Sequence, residues 1–229
     1  HRRQFLSRAS LFFTIGVPFE KALEKKLAAV CPNLKIVATN EGVAYRSMET
    51  FASDHQHDEN CTHAAGQPDP HIWLDPLQVT IQARNIATAL KALLPDSQTL
   101  IDERLGSFNR QLEELTEELA QKMLPWKGQT MLVFHPAFGY FANRFGMQQR
   151  AIEIEGKEPG PRQLVELIRQ CRAENIHIIF VQKQFPVSAA KTVAEAIGGS
   201  VIQIDPLAEN YFANLREIAQ TVTGALQKQ

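Results

Sequence analysis

Two histidines stand where this sequence could hold a metal ion. His71 lies in Asp69-Pro70-His71-Ile72-Trp73-Leu74-Asp75-Pro76, and His135 in Met131-Leu132-Val133-Phe134-His135-Pro136-Ala137-Phe138-Gly139-Tyr140-Phe141. Each imidazole sits beside a proline at the end of an extended run, where the backbone is held and a side chain can be aimed at a shared point. Metal ligation needs that aim. The competing reading makes His71 a loop histidine bonded to the backbone near Trp73 and Asp75, and His135 a core histidine at a strand end.

The elements that must position them follow from the periodicity. Ser10 to Ile15 reads as a strand stopped by Gly16-Val17-Pro18, Phe19 to Val30 as an amphipathic helix, and Lys35 to Ala38 as a second strand. Residues 49 to 70 form a polar loop in which His55, His57 and His63 are interleaved with Asp54, Asp58 and Glu59. Such a loop is by default a solvated connector. A helix is expected from near Pro76. The spacing of Ile101, Leu105, Phe108, Leu112, Leu115 and Leu119 predicts one apolar stripe on a helix from Asp96 to Leu124, started by Pro95-Asp96 and stopped by Pro125. At about 1.5 Å per residue it would run about 43 Å, long enough to bridge two lobes.

Beyond it, strands are expected at Thr130 to Phe134, Ala151 to Ile154, Ile176 to Gln182 and Val201 to Ile204. Helices are expected at Ala137 to Phe145, Pro161 to Arg172, Val187 to Ile197 and Tyr211 to Leu226. This alternation predicts an α/β fold of mostly parallel sheets. The expected organisation is an N-terminal α/β lobe over residues 1–95 with a His-rich loop at 53–66, a connecting helix over 96–125 and a C-terminal α/β lobe over 126–229. In such sheets functional groups gather at the carboxyl ends of strands. His135 follows one strand directly and Asp205 follows another, so the two can converge, with His71 reaching them across a cleft from the first lobe.

Composition excludes several classes. The chain has 229 residues, 44% hydrophobic and 21% charged, enough for a proper core. With 24 basic against 25 acidic residues there is no electrostatic footprint for nucleic acid or an anionic membrane. The apolar run from Ala9 to Val17 is far below the roughly 20 residues that span a bilayer, and no signal peptide is read at the start. Cys31, Cys61 and Cys171 make no CxxC pattern and argue neither a zinc finger nor a redox motif.

The segments around His71 and His135, with Val201-Ile202-Gln203-Ile204-Asp205-Pro206-Leu207, resemble the signature segments of the metal-binding solute receptors of zinc and manganese ABC importers, the ZnuA-like or TroA-like group. Their order and spacing extend the resemblance over essentially the whole chain. It implies a two-lobed receptor with metal in the inter-lobe cleft, and a carboxylate near the metal at Asp205. Asp205-Pro206 could equally be a turn or a helix N-cap. The group also supplies a histidine from an earlier segment, following an opening strand and helix that this chain lacks. Only His1 stands near that place, as that ligand or as a remnant of trimming or a tag. Receptors of the manganese type tend to carry a carboxylate where His135 stands, so the resemblance points to zinc over manganese. A His-rich insertion is common at the position of His55, His57 and His63, which would make them accessory zinc ligands.

Two or three neutral imidazoles with one carboxylate suit Zn²⁺ at about 2.0 to 2.2 Å, and a filled four-ligand shell leaves no water to activate. That favours carriage over catalysis. Copper and nickel would bind the same donors at least as well. Because the imidazoles must be neutral, affinity is expected to fall as pH drops through about 6.5. The resemblance implies capture outside the cytoplasmic membrane by a monomer, periplasmic or anchored through an absent N-terminus, and delivery to an ABC permease. A surface adhesin of the same group is the second reading. A zinc hydrolase is the third, with Glu155 as its base, but HExxH, GxSxG and GxxxxGK are all missing. Glu153, Glu155 and Glu158 read as an exposed charged loop, the alternative being that one of them approaches the cleft, and Phe138, Tyr140 and Phe141 read as packing.

Overall fold

The computed structural model describes residues 9–48, 68–153, 157–185 and 187–227. His1, the loop histidines His55, His57 and His63, Cys61 and Glu155 therefore lie outside the described residues. The chain divides into two compact units, one of residues 1–45 and 75–116, the other of residues 46–74 and 117–229. This division departs from breaks at 95 and 125. The segment bearing His71 groups with the second unit, and the long helix is shared between both.

In the first unit, β1 (Leu11–Thr14) pairs in parallel with β2 (Lys35–Ala38), and α1 (Glu20–Val30) makes the crossover. Glu20 fixes the start of this crossover. Its carboxylate accepts the N–H groups of Ile15, Gly16 and Val17, satisfying donors left over where β1 ends. α2 (Pro76–Leu93) begins where Asp75 accepts the N–H of Leu77 at 3.0 Å, with Pro76 at the first helical position.

α3 (Gln98–Met123) is 26 residues long and is flanked by short 3₁₀ turns at Pro95–Ser97 and Leu124–Trp126. The apolar stripe is buried unevenly. Leu112, Leu115, Leu119 and Met123 have no exposure. Ile101, Leu105 and Phe108 instead line a groove of about 410 Å³ with α2 residues such as Ile86 and Leu90.

The second unit is built on a four-stranded parallel sheet. β3 (Thr130–Val133), β4 (Gln148–Ala151), β5 (Ile178–Gln182) and β6 (Ser200–Ile204) stand in the order β4-β3-β5-β6. The helices between and after them are α4 (Gly139–Arg144), α5 (Pro161–Ala173), α6 (Val187–Ile197) and α7 (Tyr211–Leu226). All five residues of β5 are buried, as a central parallel strand covered on both faces requires. One face supplies Ile179 and Val181 to a core with Leu132, Phe134, Leu167, Cys171 and Val193. Burial pushes the Cys171 thiol up to about 11, so it behaves as a small apolar group. Among the described residues no helix is long and apolar enough to cross a membrane.

Most elements fall where the pattern predicts them, and β4 is the departure. The expected strand at 151–154 is placed three residues earlier at its start, because Gln148, Gln149 and Arg150 carry no β-like apolar pattern. Pairing with β3 recruits them nonetheless. Gln149 turns inward, and its amide oxygen accepts the N–H of Phe138 at 2.6 Å.

Candidate metal centre

The carboxyl ends of β4 and β5 each place a polar side chain beside His135. His135 leaves β3 two residues after its end, and its carbonyl accepts the Gln182 amide from β5 at 2.7 Å. Backbone pairing of β4 with the β3 segment continues past the strand proper, through Ile152 N–H to Val133 and Glu153 N–H to Phe134, both at 2.9 Å. That extension sets Glu153 beside His135, and its carboxylate bonds the imidazole Nδ1. Glu153 is buried, only 8% exposed, which corrects its reading as part of an exposed charged loop. The Phe185 ring stacks on His135 with centroids 5.0 Å apart and planes 19° apart.

His71 is held by a different device with the same chemistry. Pro70 and the short turn Ile72–Leu74 fix its backbone, and its carbonyl accepts Leu74 N–H at 3.2 Å. Asp69, fully buried, accepts both the His71 N–H at 3.0 Å and the ring Nδ1 at 2.7 Å through one oxygen. Its other oxygen meets the Arg46 guanidinium at 3.0 Å. Tyr140 links the pieces: its hydroxyl accepts Arg46 N–H at 3.1 Å and donates to the Asp69 carbonyl at 3.0 Å. Tyr140 thus does more than the packing its spacing suggested.

The two imidazoles come together. Their centroids are 5.3 Å apart with planes crossing at 78°. A carboxylate can only accept, so each Nδ1 carries a proton, and in a neutral ring the lone pair is then on Nε2. A carboxylate behind the ring in this way fixes the tautomer and orientation of a metal-binding histidine and raises its basicity. The His71 ring bonds a carboxylate where the competing reading had it bonded to the backbone near Trp73 and Asp75.

Asp205 follows β6 as expected. Its Oδ1 accepts the Gln184 amide at 2.8 Å and Leu207 N–H at 2.9 Å, and its carbonyl accepts the Asn214 amide at 2.8 Å. Burial pushes its carboxyl up, but the Gln184 and Leu207 hydrogen bonds and the Lys183 charge outweigh that and hold it below the ordinary value. The Trp73 indole N–H donates to the Pro206 carbonyl at 2.9 Å, tying the His71 turn to the Asp205 loop. Among the described residues no group of three or more histidine, cysteine, aspartate or glutamate side chains is gathered closely enough to hold a metal ion. The convergence therefore covers His71 and His135, and Asp205 stands on the loop attached to them.

The sequence profile described as "Zinc-uptake complex component A periplasmic" matches residues 2–225. The chain belongs to this zinc-uptake family. Among its relatives, a "Putative metal-binding protein" of Chlamydia muridarum is 26% identical over 215 residues, covering 93% of this chain and 72% of that one. The "High-affinity zinc uptake system protein ZnuA" of Yersinia pestis is 28% identical over 220 residues, 89% of this chain and 69% of that one. A solved structure, "Crystal structure of ZnuA", superposes on this chain with a TM-score of 0.87 at 34% identity, covering 98% of this chain and 84% of that one.

Reading the sequence alone missed Asp69, Arg46, Tyr140 and Glu153 as supports of the histidines. Asp69 was within reach, because an aspartate two residues before a fixed histidine is well spaced to bond its ring. Glu153 was not, since it meets His135 only through the β3–β4 register.

Proposed function

We propose that this protein captures Zn²⁺ outside the cytoplasmic membrane through Nε2 of His71 and His135, and passes it to an ABC-type permease. The observation that carries the proposal is the pair of imidazoles at 5.3 Å, each with Nδ1 on a carboxylate. Two neutral imidazoles so arranged present two lone pairs of the borderline softness that zinc prefers. Asp205 is the proposed carboxylate donor and His1 the proposed last one. Four protein donors leave no position for an activated water, so the mechanism is ligation without chemistry. The buried carboxylates keep both rings from turning away, which lowers the ordering cost when the ion arrives.

X-ray absorption at the zinc edge of the loaded protein tests this directly. The proposal predicts nitrogen and oxygen neighbours at about 2.0 to 2.2 Å with outer-shell imidazole scattering, which weakens in His71→Ala and His135→Ala. A sulfur shell at about 2.3 Å, or a spectrum indifferent to both substitutions, would sink the proposed ligand set.

A further inference from the structure

Asp69 is a carboxylate with no exposure at all, and a buried charge is tolerated only when paired and hydrogen-bonded. The bonds that meet this need join Asp69 to His71 on one side and to Arg46 on the other. One oxygen takes the backbone and ring N–H of His71, and the other takes Arg46. Asp69 N–H donates to the Arg46 carbonyl at 2.9 Å, and Ser47 bridges to Pro68 in antiparallel sense, so residues 46 and 69 face each other across a short backbone pair.

The surroundings are shaped around the Arg46 side chain. Its guanidinium carbon lies 5.9 Å above the Tyr140 ring, within the range of a cation–π contact. A Cβ at Gly139 would stand 1.5 Å from its Nη1, so the residue at the start of α4 is one whose missing side chain leaves room for it. The Arg46 side chain is only 10% exposed. An arginine placed this deeply has a task that a surface charge does not.

We propose that Arg46 is a positioning residue for metal capture. It pins Asp69, and through Asp69 it holds the His71 Nδ1–H, so that the Nε2 lone pair is presented to the ion. It touches neither the ion nor His71 through its guanidinium. This inference rests on the reading of His71 as a zinc ligand, and its test separates the two. His135 has its own carboxylate, Glu153, and serves as an internal control.

The test uses Arg46→Met and Arg46→Lys in the full chain. Nitrogen NMR of ¹⁵N-histidine-labelled, metal-free protein reads the tautomer at each ring, and chelator competition reads the Zn²⁺ affinity. Arg46→Met is expected to shift His71 away from its single Nδ1–H tautomer, leave the His135 signals in place and weaken zinc binding by about 10- to 100-fold, the usual cost of losing an outer-shell partner. Arg46→Lys keeps the charge but not the fork, and is expected to recover part of both. Should Arg46→Met fail to fold, the lysine variant decides, by a partial loss on both readouts. An unchanged His71 tautomer with wild-type zinc affinity in the folded variants overturns the role of Arg46. A His71 tautomer that shifts while zinc affinity does not would overturn capture through His71 and leave only a structural part for Arg46.

Discussion

A neutral histidine whose Nδ1 proton is held by a carboxylate has one lone pair to give, and at His71 and His135 that pair would be on Nε2. The two rings reach this state by unlike routes. Asp69 is two residues from His71 and is itself clamped by Arg46, whereas Glu153 lies 18 residues from His135 and depends on strand pairing. Replacing Glu153 with alanine should therefore lower Zn²⁺ affinity by about 10- to 100-fold while the far-ultraviolet circular dichroism stays unchanged. Glu153→Gln should lose less, because the amide oxygen can still accept the Nδ1 proton. Equal affinities in wild type, Glu153→Ala and Glu153→Gln would show that the pairing does not serve ligation. At this scale the two histidines that come together were legible in the sequence, because an imidazole beside a proline has a fixed aim. Their supports were not, because a side chain such as Glu153 acquires its role from a partner chosen by tertiary register.

Elements that the sequence marks by composition were legible to within a few residues. The expected helix over Val187 to Ile197 and strand over Lys35 to Ala38 coincide with α6 and β2, where apolar periodicity and turn residues agree. β4 shows the limit, since a polar stretch becomes a strand when its neighbour offers a ladder. The α6–β6 junction carries a sharper constraint than its sequence suggests. A Cβ on Gly199 would lie 2.0 Å from the His177 carbonyl oxygen, a backbone atom that cannot swing aside. Gly199→Ala should cost about 1 to 3 kcal/mol as the backbone shifts to admit the methyl group. Gly224, inside α7 with nothing within 4 Å of the same added atom, should gain roughly 0.5 to 1 kcal/mol as alanine from helix propensity. Urea unfolding midpoints compare the two, and an unchanged or raised midpoint for Gly199→Ala would contradict the close approach.

At the scale of the molecule, the α/β class and the parallel sheet were readable because strands alternating with helices have few other ways to bury their faces. The grouping into compact units was less so. His71 precedes the long helix in sequence yet belongs with the unit that carries His135 and Asp205, since the antiparallel bridge of Ser47 to Pro68 and the Tyr140 contacts draw that segment across. Sequence order is a poor guide where a segment is claimed by hydrogen bonds to residues 70 or more positions away. The consequence is that both imidazoles are set by one compact unit, which on the proposed function favours a partly preformed pair of donors over one assembled only when the ion arrives. The measurement that tests this account most directly is competition titration of chelator-stripped protein with Zn²⁺ and Mn²⁺, comparing wild type with His135→Ala. The account predicts one tight zinc equivalent, much weaker manganese, and loss of the tight zinc equivalent in the variant; a wild-type zinc affinity retained by His135→Ala would contradict it.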